Sequence, residues 1–164
     1  PIALSVTRPD TTVLTRGNGV PPAKAAINGA YVYKQFSKNG NQQIILAISG
    51  TQILLNTLEI LSDLEKTYDV KIIAVTSPQL FEEYRKNNPA GAQEVLADDE
   101  RALVTTIHNG WTGFLNSFLL PADYEKRSIG ISTYLKSGNV KEVYELAGLN
   151  PKGIEEKILK SVKK

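Results

Sequence analysis

Three stretches of this sequence hold side chains or backbone patterns that could do chemistry. In the first, Ala47-Ile48-Ser49-Gly50-Thr51-Gln52 follows an apolar run and precedes a helical pattern. A turn of that kind offers the unpaired N–H groups of a helix start to an anion. It carries neither a GxGxxG pattern nor the lysine of a phosphate-binding loop, so it also reads as an ordinary strand-to-helix turn. The second stretch is His108-Asn109-Gly110-Trp111, at the end of another apolar run. An imidazole titrates near neutrality and can serve as general acid or base. No residue close in sequence orients His108, which leaves a hydrogen-bonding loop histidine as the alternative. The third comprises the carboxylates Asp98, Asp99 and Glu100, with Glu155 and Glu156 further on. Their spacing lacks the glycine and the ordered oxygen ligands of a calcium loop, and a solvated turn and helix face account for them.

Composition narrows the chemistry further. The 164 residues include no cysteine and one histidine, which excludes disulfides, thiol nucleophiles and histidine-rich metal sites. Nineteen basic and 17 acidic side chains give a net charge of +2, spread along the chain. That leaves no broad field for nucleic acid. The one basic cluster, Lys157, Lys160, Lys163 and Lys164, falls at the end of a predicted helix, where it complements the helix dipole, with a polyanion-binding tail as the alternative. The longest apolar run, Ile44 to Ile48, is far short of the ~20 residues of a membrane span. No charged-then-apolar leader opens the sequence, so no membrane association and a cytoplasmic location are expected.

The elements that must position these residues alternate between strand and helix. Ile2 to Thr7 is β-prone, and Arg8 to Gly29 is rich in Pro, Gly, Thr and Asn. A strand set apart by a linker of that length belongs to a preceding domain, with the boundary between Asn28 and Tyr31. Strands are expected at Ala30 to Phe36, Gln43 to Ile48, Val70 to Val75, Ala102 to Ile107 and Ser128 to Ile131. Helices are expected at Thr51 to Tyr68 with Thr51 as N-cap, from Pro78 after a Thr76 or Ser77 cap, and at Pro89 to Ala97. Further helices are expected at Gly110 to Leu119, Val140 to Ala147 and Pro151 to Val162. The central unit is β-α-β with parallel strands, and the loops at the carboxyl ends of such strands are where ligands are usually met. Trp111, between Gly110 and Gly113, is a candidate buried core or interface aromatic. The chain starts at Pro1 and has no methionine, which fits either removal of an initiator or a segment of a longer protein.

Taken in order, these segments resemble the C-terminal end of the transketolase family. PIALSVTRPD is similar to the last strand of that family's pyrimidine-binding domain, with Pro9 standing where the family has glutamine. Asn28-Gly29-Ala30-Tyr31-Val32-Tyr33 resembles its GAYVL stretch, and Ile45 to Gln52 its ATGSEV turn. Lys71 to Tyr84 (KIIAVTSPQLFEEY) and Ser137 to Ile154 (SGNVKEVYELAGLNPKGI) continue the similarity. The resemblance implies a three-layer α/β/α fold with a mixed, mainly parallel sheet over residues 30–164. Residues 1–29 would supply the last strand of the preceding domain plus a linker.

For the intact protein the resemblance implies a homodimeric enzyme that moves a two-carbon ketol unit between sugar phosphates, using thiamine diphosphate and magnesium. It implies that Arg8 contacts the substrate phosphate. No catalytic, cofactor-binding or metal-binding residue is expected in these 164 residues, which by themselves would be inactive and bind no cofactor. Deoxyxylulose-phosphate synthase and the first component of pyruvate dehydrogenase share this kind of domain and remain alternatives. A non-catalytic interaction module on the same scaffold is a third reading.

Overall fold

The structure, a computed structural model, describes residues 10–17 and 20–163. Five strands form one sheet: β1 (Ala30–Lys34), β2 (Gln42–Ser49), β3 (Tyr68–Val75), β4 (Val104–Trp111) and β5 (Ser128–Ile131). Their spatial order is β1-β3-β2-β4-β5. β2 runs parallel to β3 and to β4, and β4 parallel to β5, while β1 closes the opposite edge antiparallel to β3. The sheet is therefore mixed and mainly parallel.

β2 and β3 read as continuous apolar runs because both of their faces are covered. On one face Ile44, Leu46, Ile48, Val70 and Ile72 pack against α1 (Thr51–Leu64) and α6 (Pro151–Val162). On the other, Ile45, Ala47, Ile73 and Val75 meet Phe81 of α2 (Pro78–Asn87) and Ala92 of α3 (Pro89–Val95). Phe118, from the 3₁₀ segment Thr112–Phe118, stacks on Phe81 with ring centroids 5.2 Å apart. Two helical layers around a sheet make the architecture three-layer α/β/α, as the resemblance implies. The short α4 (Tyr124–Arg127) and α5 (Val140–Ala147) complete the element order.

Several polar groups inside these layers are matched. Asn56 of α1 is buried, donates Nδ2 to the Leu149 carbonyl at 2.8 Å and accepts from Gln52 Nε2 at 2.8 Å. It ties α1 to the loop that opens α6. Thr105 of β4 and Ser161 of α6, both buried, share a hydroxyl hydrogen bond of 3.0 Å. Ser77, Asn88, Asn139 and Asn150 cap α2, α3, α5 and α6 by accepting a backbone N–H three residues on.

Several boundaries differ from the sequence expectations, at Gly50 for a local reason and elsewhere through strand pairing. Thr51 is the first helical residue rather than the N-cap. Gly50 holds that position at φ 107°, ψ 129°, a conformation open to glycine. α1 stops at Leu64, and Tyr68 already begins β3 because it pairs with Gln42. No helix forms from Gly110. β4 instead continues to Trp111, where it pairs with Ile131 past an irregularity, and 3₁₀ turns follow. Within the stretch read as a linker, Ala23–Asn28 forms a 3₁₀ segment, and Thr76 Oγ1 donates to the Ala26 carbonyl at 2.9 Å. No helix among the described residues is long and apolar enough to cross a membrane.

Candidate functional site

The order of the strands fixes where a ligand would be met. From β2 the chain crosses through α1 to β3 on one side, and the next connection returns past β2 to β4 on the other. Strand order reverses at β2, and the carboxyl ends of β2 and β4 flank the resulting crevice. Ser49 and Gly50 lie at the first of these ends, His108 and Asn109 at the second, with Ser49 paired to His108 in the sheet. Two motifs 59 residues apart are thus brought together.

His108 Nδ1 lies 3.2 Å from the Ser49 carbonyl oxygen. A carbonyl can only accept, so Nδ1 carries the proton, and in the neutral ring Nε2 keeps its lone pair. Burial lowers the His108 pKa from its ordinary value of 6.5, and the bond to Ser49 offsets part of that effect. The ring stacks on Phe114 at a centroid distance of 4.5 Å. Nε2 sits over Gly110, where an added Cβ would approach it to 2.7 Å. Asn109 donates Nδ2 to the Tyr144 hydroxyl at 3.2 Å, and its Oδ1 lies close against Gly50. The result is a neutral, oriented imidazole beside the N-terminus of a 14-residue helix. Such a group can accept a proton or a hydrogen bond at Nε2. The orienting partner missing from the local sequence is the Ser49 backbone, which only strand pairing brings near.

A second concavity, of about 820 Å³, runs along the outer edge of β5. Trp111, Tyr124, Lys126, Gly130, Lys157 and Lys160 are among the residues that line it. Trp111 is 68% exposed, which rules out the core half of its expected role. Lys157 donates to the Ala147 carbonyl at 2.7 Å, and burial lowers its pKa.

Three of the candidate carboxylates are committed elsewhere. Glu100 pairs with Lys71 at 2.8 Å, Asp98 accepts from Gln93, and Glu156 faces Lys152. Among the described residues no three His, Cys, Asp or Glu side chains converge so as to hold a metal ion. This donor set does not fit a magnesium-diphosphate site. Arg8, the expected phosphate contact, lies outside the described residues.

Fold and crevice together define an α/β domain of the open, doubly covered type. No protein-family model matches the chain, and no curated protein matches its sequence. Solved structures do match. The transketolase of Campylobacter jejuni superposes with a TM-score of 0.61 at 24% identity, covering 82% of this chain and 19% of that one. The transketolase of Leishmania mexicana gives 0.60 at 16% identity, covering 88% and 19%. A split-gene transketolase, described as an inactive beta4 tetramer, gives 0.52 at 15% identity, covering 83% and 43%. The fold is transketolase C-terminal-domain-like, and the chain spans about a fifth of the length of the first transketolases it matches.

Proposed function

We propose that this chain is the C-terminal domain of a thiamine-diphosphate-dependent transketolase, a cytoplasmic homodimeric enzyme that transfers a two-carbon ketol unit between sugar phosphates. The observation that carries the reading is a five-stranded α/β/α fold shared with transketolases over more than four-fifths of this chain. Residues 30–164 form the domain, and residues 1–29 bring the last strand of a pyrimidine-binding domain and a linker. The domain's own part is to support subunit assembly. The cofactor supplies the carbanion chemistry when bound, and other parts of the enzyme hold it and its magnesium ion. Arg8 contacts the phosphate of the sugar.

The test uses the protein tagged at its C-terminus in its native cells and purified with whatever is joined to it or bound to it. Ketol transfer from a ketose phosphate to an aldose phosphate, lost on removal of thiamine diphosphate and magnesium, is expected. A preparation that decarboxylates a 2-oxo acid instead would move the domain to a related thiamine enzyme, deoxyxylulose-phosphate synthase or the first component of pyruvate dehydrogenase. One with no thiamine-dependent activity and no cofactor would make it an interaction module.

A further inference from the structure

Ketol transfer leaves the cleft beside β5 unused. Among the described residues β5 is an edge strand with β4 as its one neighbour, and Ser128, Ile129 and Gly130 of β5 line the cleft. Ser128, Gly130 and Ser132 occupy alternate positions along it and so share one side of the strand. All three are small and line the cleft, and Ser128 Oγ donates to the Thr112 carbonyl. Gly130 also admits the crossing segment, since a Cβ would lie 2.9 Å from the Gly110 carbonyl oxygen and 3.0 Å from Thr112 Cα. The cleft volume, about 820 Å³, falls within the range of small-molecule sites.

Trp111 forms one wall. Its ring fills the space a side chain at position 113 would take, because a Cβ on Gly113 would fall 2.1 Å from a ring carbon. The indole is therefore seated against backbone while most of its surface stays exposed. Tyr124 adds a second aromatic to the lining. Opposite charge is scarce here: Lys126, Lys157 and Lys160 share the lining with Glu125 alone among carboxylates. Lys157 and Lys160 are three apart on α6, neighbouring positions on its surface, and both line the cleft. The bond from Lys157 to Ala147 uses one ammonium proton and leaves two.

We propose that this cleft binds a small planar anion, an aromatic ring bearing a carboxylate or phosphate, with the ring on Trp111 and the anionic group between Lys157 and Lys160. A stacked ring and a charge-assisted hydrogen bond supply two independent contributions to affinity. The inference does not rest on ketol transfer.

Trp111 is the chain's one tryptophan, so its fluorescence reports directly on the cleft. Phenyl phosphate, benzoate, uncharged benzamide and inorganic phosphate are titrated against the protein. Saturable quenching by phenyl phosphate or benzoate is expected, the tighter of the two identifying the anionic group. Benzamide and inorganic phosphate should each bind about tenfold more weakly, since each lacks one of the two contributions. Lys160→Ala, at an exposed position, should weaken the anionic probes by about tenfold and leave the melting temperature unchanged. By calorimetry, Trp111→Phe should retain binding and Trp111→Ala lose it. Equal affinity for inorganic phosphate, insensitivity to Lys160→Ala, or no saturation with either aromatic anion would overturn the proposal.

Discussion

The imidazole Nδ1 of His108 is held 3.2 Å from the carbonyl oxygen of Ser49, so the ends of β4 and β2 are joined across the point where strand order reverses. Burial lowers the His108 pKa below its ordinary 6.5, and the neutral ring is the form the fold favours. In the interval between the folded and unfolded pKa values the unfolded chain binds more protons, and stability rises with pH. The contribution is complete above about pH 6.5 and is lost as pH falls through that window.

Urea unfolding from pH 5 to 8 tests this. His108→Asn keeps a side-chain donor for the Ser49 carbonyl but has no titrating group, so the variant's stability should vary less over this interval. The same slope in both proteins would mean that His108 is not the titrating group.

Gly29 is locked to the turn between β3 and α2. Its carbonyl accepts from Thr76 N at 2.8 Å and from Ser77 N at 2.9 Å, and its φ is +83°. A Cβ would lie 2.4 Å from both Phe81 N and the Ser77 carbonyl oxygen. Gly29→Ala should cost about 3 kcal/mol or more, combining a left-handed backbone with a clash against rigid backbone. Ala26→Gly, three residues earlier, serves as the control. A loss below about 1 kcal/mol for Gly29→Ala would show that the segment before β1 moves away at little cost.

Much of this fold was legible because the sequence and the packing ask for the same thing. The spans of β5, α5 and α6 fall where apolar spacing, Gly148 and Pro151 put them. Ser77 and Pro78 mark the start of α2 for the same local reasons. What failed depended on contacts between distant residues. Gly110-Trp111-Thr112 has no local feature that forbids a helix, and in the sheet Trp111 pairs with Ile131. The exposure of Trp111 follows from that extension. Likewise, nothing near His108 announces Ser49, and the crevice could be anticipated only as a general property of parallel sheets.

Lys71 is an almost fully buried lysine whose ammonium meets Glu100 at 2.8 Å and lies 5.6 Å from the Phe36 ring centroid. Glu100 also accepts the Ala97 N–H at 3.0 Å. Removing one partner of such a pair strands the other charge. Glu100→Ala should therefore destabilise by roughly 3 kcal/mol, while Lys71→Met with Glu100→Gln should recover part of that loss. The exposed pair Lys152–Glu156, at 4.0 Å, should give no measurable change when Lys152 is replaced by alanine. Denaturant midpoints of these variants decide the matter, and equal effects at both sites would refute the argument from burial.

Arg8 stands in the sequence Ser5-Val6-Thr7-Arg8-Pro9, which resembles the end of the pyrimidine-domain strand in transketolases. A guanidinium suits the phosphate of a sugar because its planar fork donates paired, charge-assisted hydrogen bonds. In the transketolase proposed above, Arg8→Ala should remove roughly 1.5–3 kcal/mol of binding. That loss corresponds to a rise in KM of about ten- to a hundredfold for phosphorylated sugars. Unphosphorylated analogues, which offer nothing for the guanidinium to hold, should be nearly unaffected. Arg8→Lys separates charge from geometry: it should restore part of the binding if the phosphate is met as a point charge, and little if both arms of the fork are used. KM values for both substrate classes, measured on the three proteins, check the assignment. Equal effects on the two classes, or no effect on either, would remove Arg8 from the substrate site.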